Sequence, residues 1–237
     1  MTKEPHKYFA TCILLNYNKS DSLKDTIKSV RAQNVPVEII VVDNSTTSKR
    51  IDFDCDMYLN LGTNLHCKIR FLIACYASTE YIFTLDDDVM LTNSGVISHY
   101  LNFINNFSHR DSCILTANGH NFYKRDQVRC EDVKGWQSVT AGKGRFLFFR
   151  KKYLESVPIG FHDFITPEKN TYTGFKTTQY KGDDIVIDDI SFQKYANYIF
   201  APVDLDYSVL TDQMTARTGC HQKKYHYACR EWWLDNN

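Results

Sequence analysis

Three consecutive aspartates, Asp86, Asp87 and Asp88, directly follow the apolar segment 81–85. That segment predicts a buried strand, whose end would place three carboxylates in a cleft. Adjacent negative charges repel each other more strongly as they leave water, and a divalent cation relieves this repulsion. Carboxylate oxygens suit Mn²⁺ or Mg²⁺, which keep open positions for substrate phosphates. The triplet therefore predicts a metal site, and the alternative is a solvated acidic turn.

A second pair of carboxylates, Asp183 and Asp184, opens a predicted helix that continues toward residue 197. The helix dipole favours carboxylates in a first turn, so capping alone is one explanation. Two adjacent aspartates exceed what capping requires, and the second explanation is a functional acidic pair.

The C-terminal segment 217–230 concentrates cations in an otherwise neutral chain. His226 and Arg230 are four residues apart, so on a helix they share a face. Together they could bind a diphosphate or complete the coordination of a metal ion. The alternative is a structural histidine in an aromatic cluster with Trp232 and Trp233.

Composition limits the classes of protein to which the chain belongs. Its 237 residues are 43% hydrophobic and 24% charged, which suits one large core or two closely joined halves. The 28 basic and 28 acidic residues balance, so no global charge favours nucleic acid or an anionic membrane as a partner. The sequence contains no apolar stretch of membrane-spanning length and no signal peptide, and we expect a cytoplasmic protein.

Alternating apolar patterns predict an α/β fold with a mostly parallel sheet. Predicted strands 9–15, 37–42 and 81–85 are separated by two predicted helices. The first helix has Leu23, Ile27 and Val30 on one face, and the second, within residues 64–76, is expected to bury Leu65, Ile69, Leu72, Ile73 and Tyr76. Parallel strands bring the loops after residues 15, 42 and 85 into one crevice, where such sheets bind nucleotides. The sequence lacks both GxGxxG and GxxxxGK[ST].

Residues beyond 90 are less regular. Segment 145–149 predicts another strand, and residues 158–180 predict a long surface loop. The eight cysteines include no CxxC pair, and Cys12, Cys67, Cys75 and Cys113 lie in or beside apolar stretches, which is typical of free buried thiols. If disulfides form, Cys220 and Cys229 are the first pair to test.

Seven motifs occur in an order that resembles the exostosin-like GT-A glycosyltransferases, an N-acetylhexosaminyltransferase type. They are residues 16–19 (NYNK), 41–44 (VVDN), Asn64 with Arg70, 85–88 (LDDD), 145–149 (RFLFF), 182–185 (GDDI), and His226 with Arg230. The resemblance covers nearly the whole chain. Within this group, the chain is more similar to the soluble sugar transferases encoded by large algal viruses. It implies one GT-A domain, with a Rossmann-like nucleotide-binding half at 1–90 and a smaller mixed acceptor-binding and catalytic half at 91–237.

The resemblance also implies a role for each matching residue. The donor-binding set is Asn16, Tyr17, Asn18 and Asn44 at the uridine, Asn64 and Arg70 at the base or diphosphate, Asp86 at the ribose, and Asp87 near the sugar. Asp88 would coordinate Mn²⁺, with Asp86 and His226 as further metal ligands. Asp184, beside Asp183, would face the reacting sugar carbon, and Arg230 and His226 would close over the departing diphosphate.

The implied activity is transfer of a hexosyl, N-acetylhexosaminyl or pentosyl group from a UDP-sugar to a hydroxyl of a glycan or glycoprotein. Haloacid-dehalogenase-like phosphatases also combine a strand-end Asp-x-Asp with a later acidic pair, but their nucleophile follows the first strand. A nucleotidyltransferase would require a glycine-rich, arginine-containing loop after the first strand, which residues 16–21 do not supply. A non-catalytic sugar-nucleotide-binding module is the remaining alternative.

Overall fold

The fold was analysed in a computed structural model. It describes residues 7–18, 20–45, 52–65, 69–117, 119–120, 137–139, 141–142, 144–157, 192–193, 196–201 and 207–209.

Strands and helices alternate in the first part of the chain, as the apolar patterns predicted. The strands are β1 (Ala10–Asn16), β2 (Val37–Asp43), β3 (Met57–Asn60), β4 (Tyr81–Asp86), β5 (Val89–Leu91), β6 (Cys113–Thr116), β7 (Gly119–His120), β8 (Gln137–Ser138), β9 (Ala141–Gly142), β10 (Phe146–Arg150), β11 (Tyr198–Ala201) and β12 (Tyr207–Val209). The helices are α1 (Ser20–Arg31), α2 (Ile69–Ile73) and α3 (Val96–Asn106), with short 3₁₀ turns at Ala74–Tyr76, Arg110–Ser112 and Lys151–Ser156.

Eight of these strands form one sheet in the order β3-β2-β1-β4-β10-β6-β11-β8. Strand β1 pairs in parallel with both β2 and β4, and β2 pairs in parallel with β3. Strand β10 runs antiparallel between β4 and β6, and β8 runs antiparallel at the far edge. The sheet is therefore mostly parallel, and the predicted βαβ crossover through α1 is confirmed.

Each face of the sheet is covered by a separate apolar cluster. Alternate side chains of the strands point to opposite faces, so Cys12 and Leu14 of β1 face one cluster and Ile13 faces the other. Helices α1 and α3 cover the first face, which also buries the predicted stripe of α1: Leu23, Ile27 and Val30. Helix α2 and the 3₁₀ turn at Lys151–Ser156 cover the second face. The result is a three-layer α/β/α arrangement.

The predicted face of the second helix is confirmed except at Tyr76: Ile69 and Ile73 are buried, and Leu65 and Leu72 pack, partly buried, against the same cluster. The α-helix begins at Ile69 and lasts five residues before it tightens into a 3₁₀ turn. A 3₁₀ turn has fewer residues per turn than an α-helix, so the two segments do not share one continuous stripe. As a result Tyr76, on the 3₁₀ turn, is exposed. Arg70 and Phe71 of α2 are also buried.

Residues Phe192 and Gln193 are fixed to the second face by several contacts. The Phe192 ring stacks on Phe71 with centroids 3.8 Å apart, and its carbonyl oxygen accepts a 2.6 Å hydrogen bond from the Tyr153 hydroxyl. The Gln193 side-chain amide both donates to and accepts from the backbone of Gly142, at 2.9 and 2.5 Å. A side chain at Gly142 would lie 2.7 Å from Thr116, so glycine permits this close approach.

Four cysteines lie among the described residues, and all four are unpaired. Cys12 and Cys113 are buried, as expected, and burial raises the pKa of the Cys113 thiol to about 12. Cys75 is exposed, in contrast to the prediction, because it lies on the 3₁₀ turn that follows α2. Within the described parts of the chain, no helix has the length and apolar character needed to cross a membrane.

Candidate active site

Polar side chains end three neighbouring parallel strands at one edge of the sheet. Asn16 is the last residue of β1, Asp43 of β2 and Asp86 of β4. The strand register places Asn16 opposite Asp43, and Asp86 opposite Leu15. This is the carboxyl edge, where open parallel sheets bind ligands. The predicted meeting of the loops after β1, β2 and β4 is therefore observed.

Asp43 is a buried carboxylate of this edge that sequence analysis missed as a site residue. It accepts hydrogen bonds from the Asn16 side-chain amide at 3.0 Å, from the Ser45 backbone N–H at 2.9 Å and from the Tyr58 hydroxyl. Its position at the end of an apolar run, as for Asp86, was the available signal. These bonds hold the ends of β1, β2 and β3 together.

The loop after β1 is anchored to the acidic triplet. The Tyr17 N–H donates to Asp87 Oδ2 at 2.9 Å, and the Asn18 N–H donates to Ser45 Oγ at 2.9 Å. Asn18 has a φ of +60°, a left-handed conformation that asparagine tolerates better than most residues. The Tyr17 ring remains largely exposed above this anchor. Tyr17 thus lies beside Asp87, and Asn18 lies beside Ser45 of the loop after β2.

Asn44 and Asn64 also lie near the carboxyl edge. The Asn44 N–H donates to the Asn16 carbonyl oxygen at 2.9 Å, which continues the pairing of β1 with β2. The Asn44 side-chain oxygen accepts a 3.4 Å hydrogen bond from the Leu65 N–H, next to half-buried Asn64. Two of the predicted asparagines are therefore connected through the segment that follows β3.

The acidic triplet forms the turn between β4 and β5, and its members differ in their surroundings. Asp87 and Asp88 are buried, whereas the Asp86 side chain is 31% exposed. The Arg70 guanidinium donates to Asp86 Oδ1 at 2.9 Å, and the Arg70 side chain is 1% exposed. The backbone N–H of Asp86 donates to the Arg145 carbonyl oxygen at 3.2 Å, which connects the triplet to the start of β10.

Four predicted site residues lie outside the described residues: Asp183, Asp184, His226 and Arg230. The described part of the site consequently consists of the edge formed by β1, β2 and β4.

Comparison with solved structures identifies the fold. This chain is similar to S. aureus TarS 1-349, with a TM-score of 0.57 and 16% identity over 95% of this chain and 70% of that one. It is similar to S. aureus TarS at a TM-score of 0.56 and 17% identity, covering 92% of this chain and 41% of that one. The mannosyltransferase PcManGT of Pyrobaculum calidifontis, solved with GDP-Man and Mn²⁺, gives a TM-score of 0.51 and 15% identity over 86% of this chain and 59% of that one. This chain has the GT-A fold.

Sequence comparisons do not assign the chain to a family. No family model matches the sequence, and a search of the curated proteins finds no match. The chain also spans 41% of TarS and 59% of PcManGT, less than two thirds of either. Because open α/β sheets bind ligands at the carboxyl ends of their strands, the carboxyl edge with its acidic triplet is the candidate site.

The donor atoms at this edge suit a hard divalent cation. Mn²⁺ and Mg²⁺ prefer carboxylate oxygens, and the buried Asp87 and Asp88 supply them beside Asp86. Among the residues that the structure describes, no three His, Cys, Asp or Glu side chains are arranged to hold a metal. A cation that also binds substrate phosphates needs only one or two protein carboxylates, so the triplet fits such an ion.

Proposed function

We propose that this protein is a metal-dependent glycosyltransferase that moves a sugar from a nucleotide-sugar donor to a hydroxyl of a glycan or glycoprotein acceptor. The observation that carries the proposal is the position of residues 86–88. They lie at the carboxyl edge of a GT-A sheet, beside the polar ends of β1 and β2. The family resemblance favours a UDP-sugar, whereas PcManGT was solved with GDP-Man.

In this proposal the first half of the chain binds the donor. Asn16, Tyr17, Asn18 and Asn44 contact the nucleoside, and Asp86 contacts the ribose. Asp88, with His226, holds the metal. A bound Mn²⁺ would neutralise charge on the nucleoside diphosphate as it leaves. Buried carboxylates suit this role because their mutual repulsion is relieved by a cation.

The second half of the chain carries the chemistry. The bond between the sugar's anomeric carbon and the phosphate oxygen breaks, a bond to the acceptor oxygen forms, and the acceptor hydroxyl loses its proton. Asp184, beside Asp183, acts either as the general base of an inverting displacement or as a stabiliser of the cationic sugar in a retaining one. Arg230 and His226 stabilise the departing diphosphate electrostatically.

Calorimetric titration tests the proposal. UDP-sugars, GDP-mannose and simple phosphate esters are each added to the protein with and without Mn²⁺. We expect one nucleotide sugar to bind only in the presence of Mn²⁺, and slow hydrolysis of that donor without acceptor would distinguish an enzyme from a binding module. Indifference to every nucleotide, with affinity for phosphate esters and Mg²⁺, would replace the proposal with a phosphatase.

A further inference from the structure

Arg70 lies beneath the candidate site and not on its surface. Its side chain is 1% exposed, and its Nη1 donates both to Asp86 Oδ1 at 2.9 Å and to the Gly144 carbonyl oxygen at 3.2 Å. The Asp86 side chain, in contrast, is 31% exposed. Of the two partners in this ion pair, Asp86 is the one that can meet a ligand.

The ion pair restricts the orientation of Asp86. A buried guanidinium requires a partner for its charge, and its planar geometry constrains the carboxylate that it contacts. Arg70 engages Oδ1 of Asp86, and no donor among the described residues contacts Oδ2. A carboxylate oxygen that is held in place but has spare lone pairs is well suited to accept a hydrogen bond from a ligand hydroxyl.

We infer that Arg70 is a positioning residue of the donor site that acts through Asp86 and does not itself contact the donor. This inference rests on the proposed function. It replaces the expectation that Arg70 reaches the base or the diphosphate. The contact with Gly144 gives Arg70 a second anchor, in the turn that precedes β10, so Asp86 is oriented relative to both neighbouring elements.

A double-mutant cycle tests the inference. The variants are Arg70→Met, Asp86→Asn and the double variant, and calorimetry measures their affinities for UDP and GDP with Mn²⁺. Loss of a hydrogen bond to a charged group weakens binding by about 10- to 100-fold, so Asp86→Asn should fall in that range. We expect Arg70→Met to weaken binding by a similar factor and the double variant to bind no more weakly than Asp86→Asn, because residues that act together are non-additive.

Arg150→Met provides the matched control. Arg150 is also a largely buried arginine, and it pairs with Glu80 and Asp111 away from the candidate site. Its replacement should lower thermal stability and leave nucleotide affinity unchanged within twofold. If Arg70→Met behaves in the same way as Arg150→Met, Arg70 has only a structural role and the inference is wrong.

Two further outcomes are decisive. Losses that add in the double variant would mean that Arg70 contacts the nucleotide itself, which also overturns the inference. Wild-type protein that binds neither nucleotide in Mn²⁺ would overturn the proposed function and the inference together. Arg70→Lys retains the positive charge and replaces Arg70→Met in the cycle if that variant does not fold; we expect it to restore part of the affinity.

Discussion

Two aspartates at opposite edges of the sheet, Asp43 and Asp56, are held in similar ways but differ in how their charge is compensated. Each carboxylate accepts one hydrogen bond from a tyrosine hydroxyl and one from a backbone N–H. At the carboxyl edge, the third partner of Asp43 is the neutral side-chain amide of Asn16, at 3.0 Å. Asp43 is 3% exposed, and no ion pair reaches it within the described part of the chain.

At the amino edge, the third partner of Asp56 is a cation. Arg31 Nη2 lies 3.0 Å from Asp56 Oδ2, and the Asp56 side chain is 24% exposed. Burial alone would raise the pKa of Asp56, but hydrogen bonds from Tyr8 and the Ile39 N–H, together with Arg31, outweigh it and hold that pKa below its ordinary value.

The difference separates a structural edge from the edge at which we propose that the donor binds. Arg31 compensates Asp56 within the protein, so the amino edge requires no ligand for its charge. The hydrogen-bond donors that hold Asp43 include no cation, and Asp43 lies at an edge that also carries the acidic triplet. A cation bound at that edge would add positive charge beside these carboxylates.

The largest expected effect is at the carboxyl edge. Asp88→Asn keeps the shape of the side chain but removes a ligand charge, so Mn²⁺-dependent nucleotide affinity should fall by at least about 100-fold, since even outer-shell changes cost 10- to 100-fold. Calorimetry measures the loss. The control is Asp54→Asn at the amino edge, where the side chain is 81% exposed and affinity should not change. Normal Mn²⁺-dependent affinity in Asp88→Asn would remove the metal site from the proposal.

The next effect concerns stability at the same edge. Tyr58→Phe removes the hydroxyl that donates to buried Asp43. Hydrogen bonds to charged groups contribute about 1.5–3 kcal/mol, so the free energy of unfolding should fall by about 2 kcal/mol. Urea denaturation measures this change. An unchanged midpoint would mean that Asp43 is held by Asn16 and Ser45 alone.

A smaller effect, confined to low pH, is expected at the amino edge. Because the folded state lowers the pKa of Asp56, the unfolded state takes up its proton first as the pH falls below about 4. The stability that Asp56 contributes is present above that range and is lost as the pH falls through the folded pKa. Asp56→Asn should therefore be less stable than wild type at pH 7, and the difference should shrink toward pH 2. Thermal unfolding across this range measures it, and a constant difference would contradict the linkage.

The smallest effect is that of Tyr8→Phe. Its hydroxyl donates to Asp56 in an exposed setting where water can replace it. The free energy of unfolding should change by no more than about 0.5 kcal/mol, as for most surface substitutions. Urea denaturation of Tyr8→Phe and Tyr58→Phe under the same conditions measures both changes. An equal loss of unfolding free energy in the two variants would mean that the tyrosine hydroxyl stabilises both edges equally.

The strands and helices of the sheet were predictable from the sequence to different degrees. Strands β1, β2 and β4 were predicted to within a residue at each end, because each is a mostly apolar run that ends in a polar residue. Helix α3 was not predicted, although Val96, Tyr100 and Ile104 follow helical spacing. Its periodicity was therefore a readable signal.

Other features depend on contacts that sequence patterns do not encode. The burial of Arg70 follows from its ion pair with Asp86 and its contact with Gly144, 74 residues away. The antiparallel placement of β10 between β4 and β6 is a matter of strand order, which periodicity does not determine. The triplet and its neighbours were predicted from residue type, whereas Asp43 was missed although it ends β2 in the same way that Asp86 ends β4.

The position of β10 also has a consequence for folding. Strand β4 carries the acidic edge, and its partners are β1 on one side and β10 on the other, where Leu85 pairs with Phe146. Pairing of strands so distant in sequence slows folding, because the long intervening loop must close first. During synthesis, β4 therefore has an unpaired side until residues 146–150 have left the ribosome. Until then its backbone N–H and C=O groups can pair with another chain, so the nascent protein is most prone to aggregation in this interval.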